Sequence, residues 1–116
     1  MTTRILIADD HGVLRAGLAA LLNDEPDFEV VGEAGTSEEA LRLAAETRPD
    51  LILMDLSMPD MGGIEATRRI HEKMPQARVL ILTLHEDIGL VREAIRAGAG
   101  GYILKRAVKT ELIAAI

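Results

Sequence analysis

Apolar runs of strand length recur at 5–8, at 30–31 with their flanks, at 51–54, at 79–82 and at 101–104. Four of the five lack a clean apolar and polar alternation, the pattern of strands covered on both faces. Segments with helical spacing lie between them. Leu14, Leu18, Leu21 and Leu22 share one face of a first helix, which ends at the punctuation of 23–26. Thr36 predicts the N-cap of a second, with Glu39 completing a capping box and Ala40, Leu43 and Ala44 forming a small apolar face. That helix must end before Pro49. A turn over 59–62 leads through Gly62 and Gly63 into a third helix, which carries Ala66, Ile70 and Met74 on a face until Pro75 stops it. Ile88, Val91, Ala94 and Ile95 mark a fourth, closed by Gly98 and Gly100, and a fifth begins near Val108 with Leu112 and Ile113.

Strand and helix therefore alternate throughout, which predicts an α/β fold: a doubly wound, five-stranded parallel sheet with helices on both faces and right-handed crossovers. The 116 residues suit one domain with a real core. The fifth helix is truncated at Ala114, Ala115 and Ile116, and this apolar end predicts a longer parent protein.

Composition narrows the function. With 48% hydrophobic and 28% charged residues the chain reads as compact rather than disordered. It has no cysteine, which removes disulfide scaffolds, thiol catalysis and thiolate-bound zinc. The run at 5–8 is too short for a secretory core or a membrane span, so a cytoplasmic protein is expected. A net charge of −6, one Tyr, one Phe and no Trp argue against direct nucleic-acid binding.

In a doubly wound sheet, chemistry collects beyond the carboxyl ends of the strands. Asp9 and Asp10 end the first strand, Asp55 the third, Thr83 the fourth and Lys105 the fifth. Clustered carboxylates repel unless a cation intervenes, and hard, oxygen-seeking Mg²⁺ suits them. Asp10 and Asp55 would ligate it directly, Asp9 through water or by orienting the shell, and the Ser57 backbone carbonyl would complete the protein's share. Lys105 and Thr83 suit a phosphoryl group, which makes Asp55 the candidate nucleophile and an aspartyl phosphate the product. Taken singly, each of these residues has a plainer role as a cap or surface group; the joint placement carries the reading. His11 lies beside the acidic pair and reads most simply as a surface or helix-start residue, as does His85 before the fourth helix. Met54 reads as core, and Met58 and Met61, in the loop, as candidates for partner contact.

These motifs closely resemble the receiver domain of two-component response regulators, particularly the LuxR-type (NarL/FixJ-like) group. The match covers the run 5–10 with His11, the run 53–63 around Asp55, Leu82 with Thr83, and the run 97–105 ending in Lys105. Leu84 and Arg106 depart from common receiver residues. The resemblance implies a flavodoxin-like strand order 2-1-3-4-5 and Mg²⁺-dependent phosphoryl transfer to Asp55 from the phosphohistidine of a sensor histidine kinase, followed by slow self-hydrolysis. It implies that Asp9 and Asp10 hold the metal, that Lys105 and Thr83 engage the phosphoryl group, and that Tyr102 is an aromatic switch. It also implies a DNA-binding helix-turn-helix output domain beyond Ile116, with homodimerisation through the first and fifth helices or around the fourth.

Three other readings compete. A hydrolase of aspartyl-phosphate type also begins with a strand-end Asp, but its nucleophile would be expected on the first strand with a general acid two residues beyond, where His11 and Gly12 stand instead. Flavin binding is disfavoured by the acidic pair after the first strand and the scarcity of aromatic residues. A receiver-like interaction module acting without phosphorylation would use the same fold and helix faces.

Overall fold

The computed structural model describes residues 2–56, 58, 60–83 and 88–104. Within them the elements are β1 (Thr3–Ala8), α1 (Gly12–Asn23), β2 (Phe28–Ala34), α2 (Ser37–Thr47), β3 (Leu51–Asp55), α3 (Gly63–Lys73), β4 (Arg78–Thr83), α4 (Ile88–Arg96) and β5 (Gly101–Leu104). Five parallel strands form one sheet in the order β2-β1-β3-β4-β5. The winding direction reverses between β1 and β3, which opens a crevice beyond their carboxyl ends. The expected fifth helix, with Ser57, Leu84, His85, Lys105 and Arg106, lies outside the described residues.

Each central strand divides its side chains between two cores. Ile5, Ile7, Leu51, Leu53, Leu80 and Leu82 pack toward α1 through Leu18, Ala19 and Leu22. Leu6, Ala8, Ile52, Met54, Val79 and Ile81 pack toward the opposite layer through Ala40 and Ala44 of α2, Ala66 and Ile70 of α3, and Ala94 of α4. Both faces are thus buried, which is why β1, β3 and β4 read as unbroken apolar runs. Alanines on the helices opposite large strand side chains let the layers interdigitate. Edge strand β2 is only half-buried over most of its length. Its register shifts between Ile5, opposite Val30, and Leu6, opposite Gly32, so Val31 bulges out.

The start of α2 is capped more fully than a capping box requires. Thr36 Oγ1 accepts the Glu39 N–H at 3.1 Å, and Glu39 Oε1 accepts the Gly35 N–H at 2.9 Å, one residue before the expected Thr36 N–H. Asp60, in the β3–α3 connection, accepts the remaining first-turn donors: Ser37 N–H on Oδ1 at 2.9 Å and Glu38 N–H on Oδ2 at 2.9 Å. The Glu38 N–H above all, opposed by desolvation and helped by the Ser37 N–H, holds the Asp60 carboxyl below the usual carboxylate range.

Met58 corrects an expectation. Placed by sequence in an exposed loop, it is only 4% exposed and belongs to the core beneath α2 and α3, with Met61 half-buried against the same cluster.

Candidate functional site

Asp9 follows β1 directly, is fully buried, and donates its N–H to the Ala34 carbonyl at the end of β2, 2.9 Å away. Asp55 is the last residue of β3 and is 2% exposed. The two therefore flank the crevice where the winding reverses, and exposed Asp10 stands at its mouth. One ligand atom each from Asp9, Asp10, His11 and Asp55 all lie within 4.8 Å of one another.

His11 joins this cluster through both backbone and ring. Its N–H donates to Asp9 Oδ1 at 2.8 Å, and its Nδ1 stands 3.0 Å from the same oxygen and 3.2 Å from Asp10 Oδ1. The helix-start role expected of it also holds, since it occupies the N-cap of α1 in extended conformation and its carbonyl accepts the Arg15 N–H. The turn in which an Asp side chain accepts the N–H two residues on was the available signal.

The segment after β3 folds back on the acceptor strand. Gly63 N–H bonds the Leu56 carbonyl, and a Cβ at Gly63 would stand 2.3 Å from the Asp55 carbonyl oxygen. Only glycine permits α3 to begin this close to Asp55. In the β3–β4 ladder Asp55 lies opposite Leu82, so buried Thr83 follows one step beyond, toward the crevice. Tyr102 lies farther out on β5, 48% exposed, and lines a cleft with Ile88, Val91 and Arg92 of α4. Ser57 and Lys105 lie outside the described residues.

Asp9, Asp10 and Asp55 supply hard oxygen donors, the chemistry of Mg²⁺-type rather than thiophilic ions. Oxygens on opposite sides of such an ion, each at about 2.1 Å, stand about 4.2 Å apart. A cluster spanning at most 4.8 Å is therefore of the right width to close on one small ion.

The sequence reading passed over Arg15. This α1 side chain donates from Nη1 to the Asp9 carbonyl at 2.6 Å and from Nε to Glu33 Oε1 of β2 at 3.3 Å. Nothing in local spacing announces either bond, the first made six residues back to a backbone carbonyl and the second across eighteen residues to another element.

The profile of the response regulator receiver domain matches residues 5–116. The chain belongs to the response regulator receiver domain family. This receiver domain is 47% identical over 110 residues to the transcriptional regulatory protein YhcZ of Bacillus subtilis, covering 95% of the chain and 51% of that relative. It is 46% identical over 113 residues to the transcriptional regulatory protein LiaR of the same organism, covering 97% of the chain and 54% of LiaR. The chain thus spans about half the length of these curated relatives. Among solved structures, a LuxR-family two-component response regulator from Aurantimonas sp. superposes with a TM-score of 0.93 at 43% identity, covering 99% of the chain and 82% of that structure. The signal receiver domain of NarL from Mycobacterium tuberculosis gives 0.93 at 32% identity, covering 98% of the chain and 92% of that structure. Among the described residues of the receiver domain, no helix is long and apolar enough to cross a membrane.

Proposed function

We propose that this receiver domain is a cytoplasmic, Mg²⁺-dependent phosphoacceptor that takes a phosphoryl group from the phosphohistidine of a sensor histidine kinase onto Asp55. In a longer parent protein its phosphorylation would control a DNA-binding output domain and hence transcription, in keeping with the names of the relatives above. The observation that carries the reading is the convergence of Asp9, Asp10, His11 and Asp55 within 4.8 Å at the reversal point of the sheet.

In the proposed reaction, an Asp55 carboxylate oxygen attacks phosphorus in line, a P–O bond forms, and the P–N bond to the kinase imidazole breaks with its electron pair going to that nitrogen, a proton already on the other ring nitrogen letting the imidazole leave neutral. Asp10 and Asp55 would hold Mg²⁺ directly, with Asp9 ligating or orienting its waters and the Ser57 carbonyl adding a ligand. When bound, the ion would neutralise charge on the transferred oxygens. Burial of Asp55 and Asp9 limits competing water and strengthens the charge interactions they make in the crevice. Thr83 would donate its hydroxyl to a phosphoryl oxygen and Lys105 would pair with another. Water attacking the same phosphorus would break the P–O bond to Asp55, releasing inorganic phosphate and regenerating the carboxylate.

The new charge and acceptor oxygens would draw Thr83 toward Asp55, and Tyr102 would move inward from its exposed place beside α4. Ile88, Leu90 and Ile95 of α4 are exposed with Tyr102, which supports this face as the one that changes and as a contact for a second copy.

Incubation with Mg²⁺ and millimolar acetyl phosphate is expected to add one phosphoryl mass to the wild-type domain and none to Asp55→Asn. No gain by the wild type would favour an interaction module acting without phosphorylation.

A further inference from the structure

We infer that Arg15, braced by Glu33, is a positioning residue that aims the Asp9 and Asp10 carboxylates and so sets the affinity of the site for its divalent cation; this rests on the metal-binding reading above. Arg15 lies in the first turns of α1, with its side chain largely covered. Its Nη1 donates to the Asp9 carbonyl at 2.6 Å while Nε reaches Glu33 Oε1 at 3.3 Å. The Asp9 N–H is held by the Ala34 carbonyl, the residue after Glu33, at 2.9 Å. Both polar groups of the Asp9 backbone are therefore tied to the end of β2, one directly and one through the guanidinium.

The consequence follows from peptide planarity. The Asp9 carbonyl belongs to the same rigid plane as the N and Cα of Asp10. Fixing that carbonyl fixes where the Asp10 Cα sits and the N–Cα axis about which its side chain turns, as well as the backbone that carries Asp9. The anchor points of two adjacent carboxylates that must converge with Asp55 across the crevice are thereby held by a bond that touches neither carboxylate. A planar guanidinium can serve the carbonyl and Glu33 together in fixed directions; a lysine ammonium cannot reproduce that fork. Groups bonded directly to metal ligands typically change metal affinity by about 10–100-fold when removed, and Arg15, acting through the backbone that carries the ligands, belongs at the lower end of that range.

The sign of the effect separates positioning from simple charge. A cation acting only through its field would repel Mg²⁺, and removing it would tighten binding. Mg²⁺ titrations of the folded domain, followed through the backbone amide resonances of Asp9, Asp10 and Asp55, test this on wild type, Arg15→Gln, Arg15→Lys and Glu33→Gln. Arg15→Gln is expected to weaken Mg²⁺ binding about tenfold. Arg15→Lys, which keeps the charge but not the fork, should weaken it as well; Glu33→Gln, whose lost negative charge weakens cation binding by itself, should melt as wild type does, and its evidence for positioning is the Asp10 amide shift without metal. In the metal-free protein, the Asp10 amide resonance should move in all three variants. Unchanged or tighter binding in Arg15→Gln, or an Asp10 amide resonance that stays put in metal-free Glu33→Gln, with wild-type binding intact, overturns the role of Arg15 alone. A wild-type domain that takes up no Mg²⁺ overturns the metal reading and this inference with it.

Discussion

Replacing Asp60 by alanine leaves two first-turn donors of α2, the Ser37 and Glu38 N–H groups, without the carboxylate that accepts them at 2.9 and 2.9 Å. Caps of this kind contribute about 0.5–2 kcal/mol. Because Asp60 is exposed, water recovers part of each lost bond, which places the expected loss in the lower half, about 0.5–1 kcal/mol. For a domain of this size that is about 2–5 °C in melting midpoint. The pH dependence is more diagnostic. The native pKa of Asp60 is depressed, chiefly by the Glu38 N–H. Its stabilisation is therefore complete above the carboxyl's unfolded value and is lost as pH falls through the native one. Thermal melts of wild type and Asp60→Ala should differ by a constant amount near neutrality, and the gap should narrow in acid to the contribution of the one acceptor the protonated carboxyl keeps. Asp60→Asn, which keeps one acceptor but no charge, should fall between them at neutral pH. Equal midpoints at neutral pH, or a difference that persists undiminished after the carboxylate has protonated, would refute the capping role.

At Gly63 an added Cβ would meet backbone, 2.3 Å from the Asp55 carbonyl oxygen and 2.8 Å from Leu56 Cα, so Gly63→Ala should cost about 1–3 kcal/mol and slow phosphoryl uptake at Asp55. Melts and acetyl phosphate labelling check both effects, and wild-type behaviour in each would refute the close approach. Gly98 has φ of +120° and a Cβ there would stand 2.4 Å from His71 Cγ, so Gly98→Ala should destabilise by more than about 1 kcal/mol. Adding His71→Ala should relieve the contacts with His71 Cγ and Nδ1 but neither the one with His71 Cβ, 2.6 Å away, nor the backbone part, seen as partial coupling in a double-mutant cycle of denaturant melts.

The sheet was legible because its physics is local: period-two burial on both faces turns β1, β3 and β4 into continuous apolar runs, and Gly and Pro mark most helix ends. Edge strand β2 was seen only at Val30 and Val31, because its half-buried positions and bulge break the apolar pattern over Phe28–Ala34. Asp9, Asp10 and Asp55 were legible as strand ends, since parallel winding delivers those ends to one side. Met58 was not, because a loop residue's burial depends on how the β3–α3 segment folds back, and that is decided by the contact between Gly63 and Asp55. The bonds of Asp60 to α2 and of Arg15 to Asp9 and Glu33 were equally hidden, being made across elements by side chains whose spacing resembles ordinary surface charge.

The most direct test of the phosphoacceptor role asks which carboxyl carries the phosphoryl group. After reaction with acetyl phosphate and Mg²⁺, reductive trapping converts an acyl phosphate to the corresponding alcohol, and peptide mass mapping locates it. The account predicts the mark at position 55, absent without Mg²⁺ and absent in Asp55→Asn. A mark at Asp9, at Asp10 or on a surface carboxylate, or one that forms equally well without the metal, would contradict it.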